Sequence, residues 1–436
     1  MKRRVWVWTA ALFGGMAVLA GFAFWDAQRR ATEVFDRHRL EVAAILVEIR
    51  VRDSEFAPIR EPRASETGWT LYTAALDAAD AVPAADTEQI TESNGPTDPE
   101  VLDALFVKHA GVTALLRKTL TAGDFTPAYR YEEGLSMELP YVSKAIGASK
   151  YLAAAAARRH ALGRDGEALD LTLPIVQVGH MTARGGSVVN HLVGLVCEDI
   201  ARESVRAVLS SHSLAAADLA RFAADLDAFS KARPSLTDAF RMEDVATRQT
   251  LHQLDQLGTD SAAFSNSGIA AGRSWKFLFS RRLAYANGLG EMERFYGALR
   301  EELDRLPPYE AIASAEKRAR EAVHRKNPLA ELLLPSVKGA VKREAVARMH
   351  WTLMRVAVAI AWYEAEKATV PTALSDLVPR HLVKVPECPY TGKPFGYGAG
   401  KVWSVGGDGV DDGGKPLADE DNEDSPGDVV WTVKRK

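Results

Sequence analysis

The segment from Val370 to Val433 decides the C-terminal fold and reads VPTALSDLVPRHLVKVPECPYTGKPFGYGAGKVWSVGGDGVDDGGKPLADEDNEDSPGDVVWTV. Prolines punctuate its first half. Three short runs then follow that are rich in β-branched and aromatic residues, which favours strands: Phe395–Tyr397, Val402–Val405 and Val429–Val433. A long connection crowded with Gly and Asp separates the last two runs. The pattern therefore predicts a small sheet that ends the chain.

The connection between the last two predicted strands is strongly acidic. Between Asp408 and Asp428 the only basic residue is Lys415. Carboxylates at this density repel one another unless a cation or water screens them, and Ca²⁺ accepts the irregular oxygen geometry of a loop. The glycines allow the backbone to fold around an ion. The alternative is a solvated acidic loop without an ion, because the spacing of an EF-hand is absent.

A series of short motifs in this region, in a fixed order, resembles a known family. They are Val370-Pro371, Leu374, Asp376-Leu377-Val378-Pro379, Val385-Pro386, Pro389-Tyr390-Thr391-Gly392-Lys393-Pro394, Ser404, Gly406, Asp408-Gly409, Gly413-Gly414 and Asp428-Val429-Val430. From about residue 350 onward the chain resembles the globular domain of the major pseudopilin of type II secretion. The resemblance implies a long helix followed by a small α+β domain.

The resemblance also implies a calcium site. In the family the acidic loop holds a Ca²⁺ ion that fastens the last strands. The implied ligands here are Asp408 and Asp428, followed by Asp411, Asp412 and Asp424. This chain departs from the family pattern in carrying Cys388 where the family has Asp, and its loop before Asp428 is longer.

The N-terminus carries an uncharged run from Val5 to Trp25, which is long enough to cross a bilayer as a helix. Tryptophans mark its ends, and Lys2, Arg3 and Arg4 precede it, which favours a cytoplasmic N-terminus. We expect a single-pass anchor in the bacterial inner membrane, with the bulk of the chain in the periplasm. A cleaved signal peptide is the alternative. The run lacks the processing site and the Glu of a pseudopilin, so we expect no filament assembly through this helix.

The middle of the chain shows helical periodicity. The predicted helices include Glu100–Thr121, Tyr141–Leu162, Gly166–Thr182, Ser187–Ser210, Leu214–Lys231, Leu236–Leu257, Ser274–Leu306, Tyr309–Lys326 and Lys338–Glu366. Ser187 and Ser213 suit helix N-caps. No regular repeat emerges. The predicted fold is mainly α: an anchor at 1–30, an irregular α-helical array at 31–335, and a long helix with a pseudopilin-like α+β domain at 336–436.

Composition excludes several classes of function. The chain has 436 residues and a net charge of −4, with no basic stripe, so nucleic acid is not an expected partner. Two distant cysteines, Cys197 and Cys388, exclude a disulfide framework and a cysteine zinc site. The sequence lacks the short motifs of metalloproteases, serine hydrolases, dinucleotide-binding proteins and P-loop enzymes.

Three polar clusters remain as candidate sites, and a structural role is expected for each. His180, His191, Cys197 and Glu198 fall within one predicted helix pair, where buried packing is favoured over metal binding or catalysis. The turn from Arg184 to Ser187 could present N–H groups to an anion, but an ordinary capped turn is favoured. The cluster of Glu132, Glu133 and Glu138 is expected to be solvated.

The resulting hypothesis is a membrane-anchored scaffold or protein-binding module, connected with secretion or envelope assembly and stabilised by Ca²⁺ at its C-terminal domain. The expected partner is a protein. The alternative is a hydrolase that acts on envelope polymers in a cleft of the helical region. A buried convergent cluster of Glu, His and Arg in the largest cavity would favour the hydrolase.

Overall fold

The structure is a computed structural model of the full chain. It describes residues 2–60, 66–92, 95–210, 214–257, 275–324, 328–398, 400–407, 409–419, 422 and 425–433. Within these helices, the side chains at 2–20, 254–257, 275–285, 319, 322–324, 328–336 and 338 are not described. The predicted N-cap at Ser213 and two of the predicted calcium ligands, Asp408 and Asp424, lie outside the described residues.

The described chain is mainly α-helical. Its helices, in order, are α1 Lys2–Ser54, α2 Gly68–Asp80, α3 Ala84–Ile90, α4 Pro99–Lys108, α5 Ala110–Lys118, α6 Tyr141–Ala161, α7 Asp165–Ala183, α8 Val188–Leu209, α9 Ala216–Ala232, α10 Leu236–Leu257, α11 Trp275–Arg305, α12 Pro308–His324 and α13 Pro328–Lys367. Short 3₁₀ turns cover Thr119–Thr121, Tyr131–Ser136 and Leu374–Leu377. The mainly α class predicted from the sequence is confirmed.

A small antiparallel sheet closes the chain. Its strands are β1 Gly396–Gly398, β2 Lys401–Val405 and β3 Asp428–Thr432, in the order β1-β2-β3. Val402 pairs with Trp431, and Val405 pairs with Asp428. Because strand residues alternate between two faces, Val402 and Trp431 point together into the core and are almost fully buried. The three predicted strand runs are confirmed to within two residues at either end.

Helix α7 lies at the centre of the helical region, and nearly all of its side chains are buried. It packs closely against α8 at two glycines. A Cβ atom placed on Gly194 would lie 2.8 Å from the carbonyl oxygen of Gly179. A Cβ atom on Gly179 would lie 2.9 Å from the carbonyl oxygen of Gly194. The crossing of these helices therefore requires glycine at both positions.

Helix α13 joins the helical region to the sheet. Its buried side chains, among them Leu353, Val356 and Ile360, share one hydrophobic core with α7, α8, α9 and the strands. The predicted domain boundary at residue 336 falls inside this helix. The helix predicted to begin at Lys338 instead begins at Pro328.

One further helix boundary differs from the predictions. The predicted helix Glu100–Thr121 is divided at His109, whose backbone leaves the helical conformation. The His109 ring lies 2.7 Å from the Asp86 carboxylate on α3, a tertiary contact that periodicity does not encode.

At the N-terminus, α1 is one helix of 53 residues. Among the described residues, no helix is long and apolar enough to cross a membrane; most side chains of the predicted span Val5–Trp25 lie outside them.

Candidate functional site

Asp428 is the buried carboxylate of the acidic loop. It begins β3, and its side chain is fully buried. Its Oδ2 atom accepts a hydrogen bond of 2.7 Å from the backbone N–H of Gly414. Its Oδ1 atom has no hydrogen-bond partner among the described residues. Burial, together with the nearby charges of Asp411 and Asp412, raises the pKa of Asp428 above its ordinary value. An ionised Asp428 is therefore short of one partner.

The other described members of the predicted calcium site lie on the surface. Asp411 and Asp412 are exposed. The Oδ1 atom of Asp411 accepts hydrogen bonds of 3.0 Å from the Trp403 indole N–H and from the Gly413 backbone N–H. Asp411 therefore holds the loop against β2 through uncharged donors, which leaves its second oxygen available.

The fit of this loop to Ca²⁺ rests on the unpaired oxygen of Asp428. Buried polar atoms are nearly always hydrogen-bonded or bound to an ion, so such an oxygen is a natural ligand position. Within the described residues, no three His, Cys, Asp or Glu side chains converge as metal ligands. The chemistry of the donors suits a hard cation, and Asp428 would hold it with Asp411 and Asp412 at the rim.

A groove of about 750 Å³ lies beside this loop, between α8, α13 and β3. One wall carries Leu192, Leu195 and Val196 of α8, and the opposite wall carries Val346 of α13. Leu417, Val429 and Val430 close one end, where Asp428 also lines the groove. Val196 is exposed although it is apolar. The groove therefore joins the helical region and the C-terminal sheet into one surface.

The rim of the groove is charged, and its basic side chains are in excess. Four basic side chains line it: Arg202, Arg206, Lys342 and Arg343. The three acidic ones are Asp199, Glu203 and Asp428. Arg202 forms ion pairs with both Asp199 and Glu203, and Asp428 is buried. Arg202 offsets only one of these two negative charges, so the lining carries a formal excess of one positive charge, and Arg343 is exposed.

A second polar constellation is buried between α7, α8 and α13. Glu198 and Glu344 lie on either side of Arg233, which follows α9. The Arg233 guanidinium donates two hydrogen bonds to Glu198, of 2.9 and 3.0 Å, and one of 2.6 Å to Glu344. His180 contacts Glu198 at 3.0 Å, and His191 contacts Glu344 at 2.9 Å. We call these five residues the buried ionic network.

Both carboxylates of the network are paired with a guanidinium and an imidazole. Burial opposes ionisation of Glu198, but Arg233 and the His180 hydrogen bond outweigh it and lower its pKa to about 2. Burial also lowers the pKa of His180, so this ring is neutral at pH 7. Its Nδ1 atom has no partner among the described residues, and a second proton there would find no acceptor. Arg233 and the two histidines thus keep both carboxylates ionised.

Three of the five residues of this network are singled out by the sequence. It singled out His180, His191 and Glu198 and favoured a structural role, and all three are buried. It grouped Cys197 with them, but this thiol is buried apart from the ion pairs, and burial raises its pKa to about 12. It missed Arg233 and Glu344, which are 35 and 153 residues from their partners Glu198 and His191. Isolated charges at such separations carry no local pattern.

The turn between α7 and α8 is a capped turn, as expected. The Ser187 backbone N–H donates to the Asn190 side chain at 3.2 Å. Gly185 adopts a positive φ of 63°, and the carboxylate of Asp53 packs against it. Burial raises the pKa of Asp53 to about 6, although Arg184 lies nearby.

The acidic cluster near Tyr131 is solvated in part. Glu132 and Glu138 are exposed, and Glu133 is paired with Arg130 at 2.7 Å. Because two of these carboxylates are exposed and the third is paired with an arginine, the cluster is an ordinary surface feature. Comparison with family profiles, with curated proteins and with solved structures gave no match.

Proposed function

We propose that this protein is a membrane-anchored scaffold whose groove binds a protein partner. In this proposal the run Val5–Trp25 is the single inner-membrane anchor, and the bulk of the chain stands in the periplasm. The support is the uncharged length of that run and the basic residues before it. The continuity of α1 from Lys2 to Ser54 is consistent with a helix that leaves the bilayer and docks directly on the folded region.

The observation that carries the proposal is the groove between α8, α13 and β3. Its volume is about 750 Å³. Both apolar and basic side chains line it. Protein interfaces commonly combine an apolar centre with a polar rim. The excess of basic side chains favours a partner segment that carries both apolar and acidic residues.

The C-terminal sheet is proposed to be a calcium-stabilised, pseudopilin-like domain. The order of a long helix, two paired strands, an acidic loop and a final strand supports this reading. The unpaired oxygen of Asp428 supports a cation within the loop. Since Asp428 also lines the groove, an ion there would stiffen one end of the binding surface. A link to secretion or envelope assembly follows from the resemblance alone.

The hydrolase alternative has one favourable observation. Glu344 of the buried ionic network lines a separate cavity of about 240 Å³, together with Ser235 and Asp304. However, Glu344 already binds Arg233, His191 and Arg348, and the network does not line the groove between α8, α13 and β3. General acid–base catalysis needs a group that can reach substrate and exchange a proton near the working pH. The geometry therefore favours the scaffold.

Site-specific photo-crosslinking in intact cells tests the scaffold. A photoreactive residue replaces Val196 in the groove, and a matched control replaces Val107, an exposed valine on α4. We expect one discrete adduct from position 196 and none from position 107. Arg343→Glu should reduce the adduct at least several-fold, because it reverses a rim charge. Equal adducts at both positions, or no effect of Arg343→Glu, would refute a specific partner of the stated chemistry.

A further inference from the structure

Helix α1 is held against the protein by one narrow face. Phe35, Val42 and Ile49 recur at intervals of seven residues, and each is almost fully buried. Phe35 packs near Leu251 and Leu289, whereas Val42 and Ile49 pack near Tyr129 and Met242. A seven-residue repeat keeps one helical face toward a partner. Helix α1 is therefore attached to the rest of the chain through this inward face.

The opposite face of the same helix is also apolar. Leu40, Ala44, Val47 and Val51 follow one another at spacings of four, three and four residues. This alternation corresponds to the d and a positions of a coiled coil. Leu40 is 73% exposed, Val47 62% and Val51 55%, and Ala44 is exposed as well. We call these four residues the outer seam. No described part of the chain covers it.

We propose that a second copy of this chain packs along the outer seam, so that two α1 helices form a short parallel coiled coil. A second copy is the partner that offers the same seam in the same register. In a parallel pair the g position of one helix faces the following e position of the other. With Val51 at a, these positions are Arg50 and Glu55, the residue directly after the end of α1, and the two have opposite charges. Their complementarity selects the parallel register.

The short length of the seam is offset by preorganisation. Residues 40–51 span about 17 Å at 1.5 Å per residue, and an isolated helix of this length would be marginal in water. Here the inward face already holds α1 helical, so association orders little additional backbone. Of the four seam residues, Val51 at a and Leu40 at d are the types that favour two strands over three or four, whereas the β-branched Val47 at d is not. The proposal depends on α1 alone, and it stands or falls separately from the groove.

Cysteine cross-linking of the full-length chain tests the dimer. Both native cysteines are buried, so an added thiol reports on its own position. We expect Leu40→Cys and Val47→Cys to give disulfide-linked dimers on mild oxidation. Arg39→Cys, exposed on the same helix but about 100° away from Leu40, should not. In an antiparallel pair Leu40→Cys would fail to link, and that result would overturn the parallel arrangement.

Sedimentation of the full-length protein in detergent provides a second measurement. Leu40→Glu with Val47→Glu should raise the dissociation constant of the dimer by roughly tenfold or more. At concentrations where both proteins are monomeric, their melting temperatures should agree. Arg50→Glu should weaken the dimer, and adding Glu55→Arg should restore it. A wild-type chain that sediments as a monomer at every accessible concentration would overturn the proposal, as would equal cross-linking at positions 39 and 47.

Discussion

The buried ionic network and the acidic loop both crowd carboxylates together, but the pKa of a buried carboxylate falls in the network and rises in the loop. In the network, Arg233 lies between Glu198 and Glu344, and the pKa of Glu198 falls to about 2. In the loop, Asp428 receives only backbone N–H groups, and its pKa rises. Both carboxylates are buried. The difference is that the chain places a guanidinium between the two carboxylates of the network, whereas no basic side chain among the described residues is paired with Asp428.

This contrast shows that burial alone does not set the charge of a carboxylate. Burial raises the pKa of any acid, and only a nearby positive charge or several donors can reverse the effect. The helical region brings such a charge from a distant part of the chain. The loop has Lys415 alone in its sequence. A cation from solution would give Asp428 what Arg233 gives Glu198.

The largest expected effect comes from removing the cation of the network. Arg233→Met leaves two buried carboxylates facing each other, and we expect a loss of ~3–5 kcal/mol in the free energy of unfolding. Urea denaturation near neutral pH measures it. The control is Arg348→Met, which removes a partly exposed partner of Glu344 and should cost less than about 1 kcal/mol. Equal losses would show that Arg233 has no special role.

The same variant has a defined pH dependence. The pKa of Glu198 is depressed in the folded state, so its pairing stabilises the protein above the ordinary value of 4.5. That contribution disappears as the pH falls from 4.5 toward 2. The difference in stability between wild type and Arg233→Met should therefore shrink across this range. A difference that stays constant with pH would separate the destabilisation from charge pairing.

Asp53 is a buried carboxylate whose raised pKa is only partly offset by nearby arginines. Its folded pKa of about 6 lies above the ordinary 3.8, so ionisation costs stability as the pH rises from 3.8 to 6. Asp53→Asn should raise the free energy of unfolding by up to about 3 kcal/mol at neutral pH, since one pKa unit corresponds to 1.36 kcal/mol. At about pH 4 the gain should largely vanish. Asp36→Asn, on the exposed side of α1, should show no such difference.

Calcium tests the loop directly. An ion bound only by the folded protein adds about 2.7 kcal/mol at a concentration one hundred times its dissociation constant. We expect Ca²⁺ to raise the melting temperature of the wild type and a chelator to reverse the rise. Asp428→Asn and Asp408→Ala should abolish the response. An unchanged melting temperature with Ca²⁺, at matched ionic strength, would leave the loop as a solvated acidic turn.

Much of the fold follows from local patterns in the sequence. Helices α6 to α10 and the three strands lie within about two residues of their predicted ends, because amphipathic spacing and turn residues determine them. The capping of α8 by Ser187 was also predicted. The break at His109 was not, since it depends on Asp86 in another helix.

The candidate sites were predicted less completely. The acidic loop is a contiguous feature, so the sequence pointed to Asp428 directly, and the resemblance gave it a role. The buried ionic network depends on Arg233 and Glu344, which look like ordinary surface charges in a linear sequence. The groove likewise is formed by residues from 192 to 430 that meet only after folding. Long-range packing, rather than residue type, creates both features.

The contact between Gly179 and Gly194 has a consequence for the charges around it. His180 follows Gly179 on α7, and Glu198 lies one turn beyond Gly194 on α8. A methyl group at either glycine would push the two helices apart, and the distance between the imidazole and the carboxylate would increase. The distance between the His180 ring and the Glu198 carboxylate thus depends on the absence of a side chain at two glycines that do not take part in the hydrogen bond.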